Sequence, residues 1–441
     1  MPTFKDYTMN QLPLSFEDFI PENHLVRVVN TIVDSLDLTP LYDRYKESGC
    51  PAYHPQMMLK VMIYSYSQKT YSSRQIAKVL RENITFMWIA GGNKPDFRTV
   101  NRFRLNMKEI IEDVFYEVVK LLIEKNHIKM QNYFLDGTKI EANANKYTFV
   151  WNKSIQNYDQ RLDVKIKNHL REIDCIVAEE NHIYLDDDLE EKGENSRITS
   201  EQVAAVVESI DKKLEEKPTD KILKKKSREF KKDILPRKQK YEKSFETFKG
   251  RNSYSKTDRD ATFMRMKEDA MLNGQLKPGY NIQIGTENRY IVGFSVHPNP
   301  TDTKTMVPHL NHLKDKLGRL PKNIIADAGY GSEENYEYLE EKKLGTYVKY
   351  NTFHWEKKKK NQENPYLREN LVYEKNGDIF LCPSGRRLVH IGNRKYESET
   401  GYETRRDYYR CESCDDCPNA AECKKTEKPR VIQIFELPPI S

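Results

Sequence analysis

Two acids stand where apolar runs stop. Asp136 follows Tyr133, Phe134 and Leu135 and precedes Gly137 and Thr138, while Asp327 follows Ile324, Ile325 and Ala326. A carboxylate at the end of a buried strand loses hydration and needs a cation, a hydrogen-bond donor or a metal ion beside it. A turn cap made with Gly137 is the plainer alternative for Asp136. Carboxylates suit Mg²⁺, which takes hard oxygen ligands and keeps several waters. A second group lies near the C-terminus, where Cys411, Cys414, Cys417 and Cys423 follow a C-x₂-C-x₂-C-x₅-C spacing, with Cys382 upstream. Thiolates in a reducing compartment favour Zn²⁺, and an iron–sulfur cluster or an empty thiol cluster are the alternatives. The first two spacings fit a ferredoxin run and the third does not, so zinc is the preferred reading. Cys50 and Cys175 are isolated and read as structural.

The chain that must position these groups has 441 residues, a length that suggests roughly two to four domains. Only 37% of it is apolar and 32% is charged, so much of it is solvated helix or loop. The net charge of +6 is modest, and its placement matters more than its sum. No apolar run approaches the ~20 residues of a membrane span, and no signal peptide opens the chain. The expectation is a cytoplasmic protein with reduced thiols.

Residues 1–130 read as helical, from the helical spacing of "HPQMMLKVMIYSYSQ" and the serines that open "SSRQIAKVLREN". A long amphipathic segment follows, with Asp96 or Thr99 available as N-cap. Arg98, Arg102, Arg104 and Lys108 make it basic, which fits an all-α, helix-turn-helix-like DNA-binding domain or an ordinary bundle with a charged face. Strand signals begin near 132 and break off. From 152 to 250 the text is helical and highly charged, acidic at 185–195 and basic at 221–240, and reads as a helical insertion between strands. Its basic arm could lie along phosphates. "GYNIQIGTENRYIVGFSVHPN" then alternates about a polar turn, as a hairpin does. "NIIADAGYGSEENYEYLEEKKLGTYVKYN" gives strand, acid, turn, helix and strand, and ligands gather at such strand ends. Residues 352–441 read as loop-rich and polar.

This order of elements resembles the ribonuclease-H-like core of nucleases, and the wording is more specific than the order. "LDGTKIEANANKYTFVW", "DATFMRMKEDAMLNGQLKPGYNIQIGTEN", "PTDTKTM" and "IADAGYGSEENYEYL" are together similar to the DDE transposases of bacterial insertion sequences. The group numbered eleven-eighty-two is the one they resemble most, and the likeness extends to the N-terminal helices and to "CPNAAECKK". The resemblance implies an α/β fold: a ribonuclease-H-like mixed sheet at 131–351 with the 152–250 insertion, preceded by the 1–130 helical domain. A cysteine-rich insertion at 352–441 follows.

By the same resemblance Asp136 and Asp327 are metal-binding carboxylates for two Mg²⁺ or Mn²⁺ ions that drive phosphodiester cleavage and strand transfer. Arg98, Arg102, Arg104, Lys139 and Asn143 are candidates for DNA contact. The implied partners are double-stranded DNA, as terminal repeats and target, and further copies of the chain, in a bacterial cytoplasm at the nucleoid. The family's third carboxylate is a helical glutamate after the cysteine cluster. Here Glu436 is the last acid, separated by Leu437 alone from a Pro-Pro that cannot extend a helix. A C-terminally truncated copy is therefore expected, with a non-catalytic DNA-binding remnant as the alternative function.

Overall fold

A computed structural model describes residues 15–45, 52–178, 197–216, 220–266, 274–398, 400–424 and 426–435. Cys50, Glu436 and the acidic run at 185–195 lie outside the described residues, as does the side chain of Cys175.

The chain divides into two compact units: Met1–Tyr133 with Thr286–Gly293 and His312–Pro321, and Phe134–Gly285 with Phe294–Asn311 and Lys322–Ser441. In the first, helices Leu25–Asp34, Pro55–Ser67, Ser73–Glu82, Ile84–Ile89, Phe97–Asn106 and Ile111–Glu124 follow one another. Their apolar stripes meet in one core that includes Val26, Leu59, Ile76, Leu80 and Phe103. Asp96 is the N-cap of the Phe97–Asn106 helix, accepting from the Thr99 amide at 2.7 Å. Ser72 holds the N-cap position of Ser73–Glu82 without a side-chain cap bond. The single long segment expected from 96 onward is two helices. Met107 and Ile110 both turn into the core between them, and Arg44 donates to the Asn106 carbonyl and to Glu109 across the break.

Thirteen strands lie among the described residues: β1 Asn132–Glu141, β2 Phe149–Trp151, β3 Ser253–Ser255, β4 Thr262–Arg265, β5 Leu276–Glu287, β6 Tyr290–His297, β7 Asn323–Ala326, β8 Gly345–Val348, β9 Val372–Glu374, β10 Ile379–Leu381, β11 Arg387–Glu397, β12 Glu403–Cys411 and β13 Val431–Phe435. A mixed six-stranded sheet has the order β4-β5-β1-β7-β8, with β6 also paired to β5. β7 and β8 run parallel, joined by the helix Glu333–Glu341, and β4 and β5 run antiparallel. The β5–β6 turn has positive φ at Asn288 and Arg289, as a two-residue hairpin requires.

The charged stretch expected as a helical insertion runs from β2 to β3, two short strands that pair with each other as a separate two-stranded sheet. Helices Asn152–Ala178, Ser200–Glu216, Lys221–Glu229 and Leu235–Phe248 enclose their own apolar core, which includes Leu162, Val203 and Phe230. The basic run is partly consumed inside this bundle. Lys226 pairs with Glu172, Lys231 with Asp211, and Lys238 is buried against Asp159 and Asp163.

The reading of 352–441 as loop-rich is corrected by a five-stranded antiparallel sheet, order β13-β12-β11-β10-β9. Its core is small, built on Leu371, Leu388, Tyr409, Cys411 and Ile432. Most of β11 is solvated, so charged pairs such as Lys395 opposite Arg405 hide the apolar alternation that marks a strand. Stacking replaces burial there, as where the Arg406 guanidinium lies 3.5 Å from the ring centre of Tyr396.

Candidate active site

β1 alternates Tyr133, Leu135 and Gly137 inward with Phe134 and Asp136 outward, so Asp136 is exposed on the face opposite Gly137. Asp327 is exposed one residue past β7, where its Oδ1 accepts the Gly329 amide at 2.8 Å. β1 and β7 are neighbours in the sheet, so the two acids stand on adjacent strands. Lys139 is half-buried further along β1, and Asn143 is exposed in the bend beyond it.

The sequence reading passed over Asp302, which the fold brings to Asp327 and to the face of β1 opposite the Asp136 side chain. It lies in a three-residue 3₁₀ turn, Asp302–Lys304, between β6 and the helix Met306–Leu317. Its Oδ1 accepts from Asn281 Nδ2 at 2.8 Å and from Gln283 Nε2 at 3.1 Å, and both amides are fully buried on β5. Gln283 Oε1 accepts the Tyr330 hydroxyl, and the Asn335 amide holds the Tyr330 carbonyl at 2.6 Å.

Two glycines show how closely Asp302 approaches β1 and the turn of Asp327. A Cβ on Gly137 would stand 2.5 Å from Asp302 Oδ1 and 2.6 Å from Gln283 Nε2. One on Gly329 would stand 2.9 Å from Asp327 Oδ1 and 3.5 Å from Asp302 Oδ2. Gly137 therefore follows Asp136 for want of space. The bland reading of a turn glycine falls away, since Gly137 lies within β1.

Further along the sheet, Tyr280 donates to both oxygens of Asp258, at 2.9 and 2.8 Å. Burial, then this carboxylate, pushes its phenol up to about 12. Arg251 organises the nearby loop by donating to the carbonyls of Phe248, Arg259 and Asp260.

The other predicted residues lie elsewhere. Arg98 and Arg102 are exposed on the Phe97–Asn106 helix, and the Arg98 and Arg74 guanidiniums both approach Phe97. Arg104 is half-buried, donating to the Tyr71 carbonyl at 2.6 Å and resting over Tyr66. Cys411, Cys414, Cys417 and Cys423 line one small cavity together with Cys382. Burial and the neighbouring Cys414 push the Cys411 thiol up to about 12. Among the described residues, no three His, Cys, Asp or Glu side chains are set to hold a metal ion.

Comparison with known families decides the class. Residues 14–106 match the family described as transposase domain (DUF772), and residues 251–413 match the transposase DDE domain. The chain is a DDE transposase by family. Its family cleaves and joins DNA strands with the help of divalent metal ions. The DDE match of this transposase contains Asp302 and Asp327, while Asp136 precedes it. No curated protein and no solved structure matches the chain. Among its described residues no helix is long and apolar enough to cross a membrane.

Proposed function

We propose that the chain is an insertion-sequence transposase of the eleven-eighty-two group, which binds the terminal repeats of its element and cuts DNA at Asp136 and Asp327. The observation that carries this reading is the adjacency of β1 and β7, with Asp136 midway along the one and Asp327 one residue past the other. In it, residues 1–130 are a helix-turn-helix-like DNA-binding domain, 131–351 a ribonuclease-H-like core and 352–441 a cysteine-rich segment. It works on DNA as a homo-oligomer, in the bacterial cytoplasm.

Asp136 and Asp327 fit Mg²⁺ or Mn²⁺ through their chemistry, as exposed hard oxygen donors on neighbouring strands. Bound there, divalent ions would supply charge stabilisation for the attacking and leaving oxygens of a phosphodiester. The chain's own side chains bind and orient the nucleic acid. Lys139 and Asn143 hold the backbone near the acids, and Arg98 and Arg102 anchor the repeat. Arg104 serves helix packing instead. The cysteine cavity is a Zn²⁺ site in this reading, supported by the five cysteines that line it.

Two carboxylates leave the set incomplete. Asp136 shares its face with Phe134, which is 52% exposed, and Ile282 and Ile284 on the neighbouring strand are only half-buried. The same open face favours a second reading, in which these residues occupy element ends without cutting and hinder an intact transposase.

Two experiments test the proposal. Purified protein should cleave element-end DNA with Mg²⁺, and Asp136→Ala and Asp327→Ala should each abolish cleavage. Cleavage that survives either substitution would remove that acid from the site. In gel shifts at rising salt, binding should weaken steeply, and Arg102→Ala should lower the log–log slope by about 0.9, the change for one lost phosphate contact. An unchanged slope would remove Arg102 from the interface.

A further inference from the structure

We infer that Asp302 is a positioning residue of this site: it braces the strand carrying Asp136 against the turn carrying Asp327, and its charge helps Asp327 hold a divalent ion. The inference rests on the roles proposed above for Asp136 and Asp327.

The side chain of Asp302 has no duty in its own turn. The main-chain carbonyl accepts from the amide and hydroxyl of Thr305 at 3.0 and 2.8 Å, while the carboxylate points toward the sheet. There it meets Asn281 and Gln283, two buried amides two residues apart on one face of β5. Burying amides is costly unless they are paired, and a carboxylate oxygen can accept from both. Gln283 Nε2 also donates to Asn281 Oδ1 at 3.0 Å, which locks the pair.

From this anchor the carboxylate reaches Asp327 and, on the face opposite the Asp136 side chain, the backbone of β1. Oδ1 presses on the backbone of Gly137, next to Asp136. Oδ2 and Asp327 Oδ1 face the same point above Gly329. Through Gln283 and the Tyr330 hydroxyl, a hydrogen-bonded chain leads into the turn that begins at Asp327. A negative charge so placed disfavours crowding by further anions and favours a cation beside its neighbours. Outer groups that orient metal-binding carboxylates are typically worth 10–100-fold in affinity or activity.

The test uses the full chain and Mn²⁺ alone, with free ion followed by its paramagnetic resonance and folding by thermal melting. Asp302→Asn keeps an oxygen for both buried amides and removes the charge. It should weaken Mn²⁺ binding by about 10-fold or more in fully folded protein, as expected for an outer carboxylate. Tyr330→Phe, which deletes only the hydroxyl link, should cause a smaller loss in the same direction. Asp327→Asn should abolish binding. Wild-type affinity in Asp302→Asn, alongside loss in Asp327→Asn, would overturn the inference and leave the site assignment standing. No Mn²⁺ binding by the wild-type chain would overturn the assignment itself. If Asp302→Asn does not fold, Tyr330→Phe decides, and an unchanged affinity there sinks the brace.

Discussion

Lys238→Met should destabilise the helical insertion by about 3–5 kcal/mol, the usual cost of removing one partner from a buried ion pair. The Lys238 side chain has no exposed surface, and its Nζ lies 2.7 Å from Asp159 Oδ1 and 2.5 Å from Asp163 Oδ1. Methionine fills nearly the same volume, so the loss comes from charge. Asp159 keeps Arg197 at 2.7 Å, but Asp163 is left beside it without its cation. Burial already raises the Asp163 carboxyl above its ordinary range, and Lys238 is the main group that opposes this. Urea unfolding should show the drop, and adding Asp163→Asn should restore part of it. A loss below about 1 kcal/mol would mean that water or another cation compensates Asp163.

Gly137→Ala should damage both folding and the site. Its new methyl would sit inside the contact distance of Asp302 and Gln283, and overpacking of this kind costs about 1–3 kcal/mol. Since β1 is extended at this point and Gly137 has no positive φ, the effect measures crowding alone. Gly377→Ala is the matched control, because its Cβ would meet Ile379 at 3.5 Å or more. The prediction is a lower melting temperature and weakened Mn²⁺ binding for Gly137→Ala, with neither change in the control. Equal behaviour of the two variants would show that Asp302 and Gln283 move aside freely.

Much of the core could be read from the sequence because its signals are local. Apolar runs ending in Asp136 and Asp327 mark strands, and the 279–299 alternation marks the hairpin. Their order is enough to suggest that β1 and β7 are neighbours. Asp302 could not be found that way. It sits in a short turn within "PTDTKTM", and its importance comes from β5 amides about twenty residues upstream. The apolar alternation of Tyr280, Ile282 and Ile284 puts Asn281 and Gln283 on the outward face, whereas both are buried. Buried amides on an alternating strand demand a polar partner. The second sheet was missed for the opposite reason. Its strands bury little, so β11 and β12 carry the composition of loops. Cys411, counted at first with the metal-seeking thiols, packs in that sheet's small core beside Leu388 and Tyr409.

The central claim is that Asp136 and Asp327 act on one divalent-ion site. The most direct measurement is Mn²⁺ titration of the wild-type chain, Asp136→Asn, Asp327→Asn and the double variant, each checked for folding. Binding should be present in the wild type, fall sharply in each single variant, and fall little further in the double, because one site has already been broken. Two independent losses that add, or wild-type affinity in Asp136→Asn, would place the acids in separate sites and contradict the account.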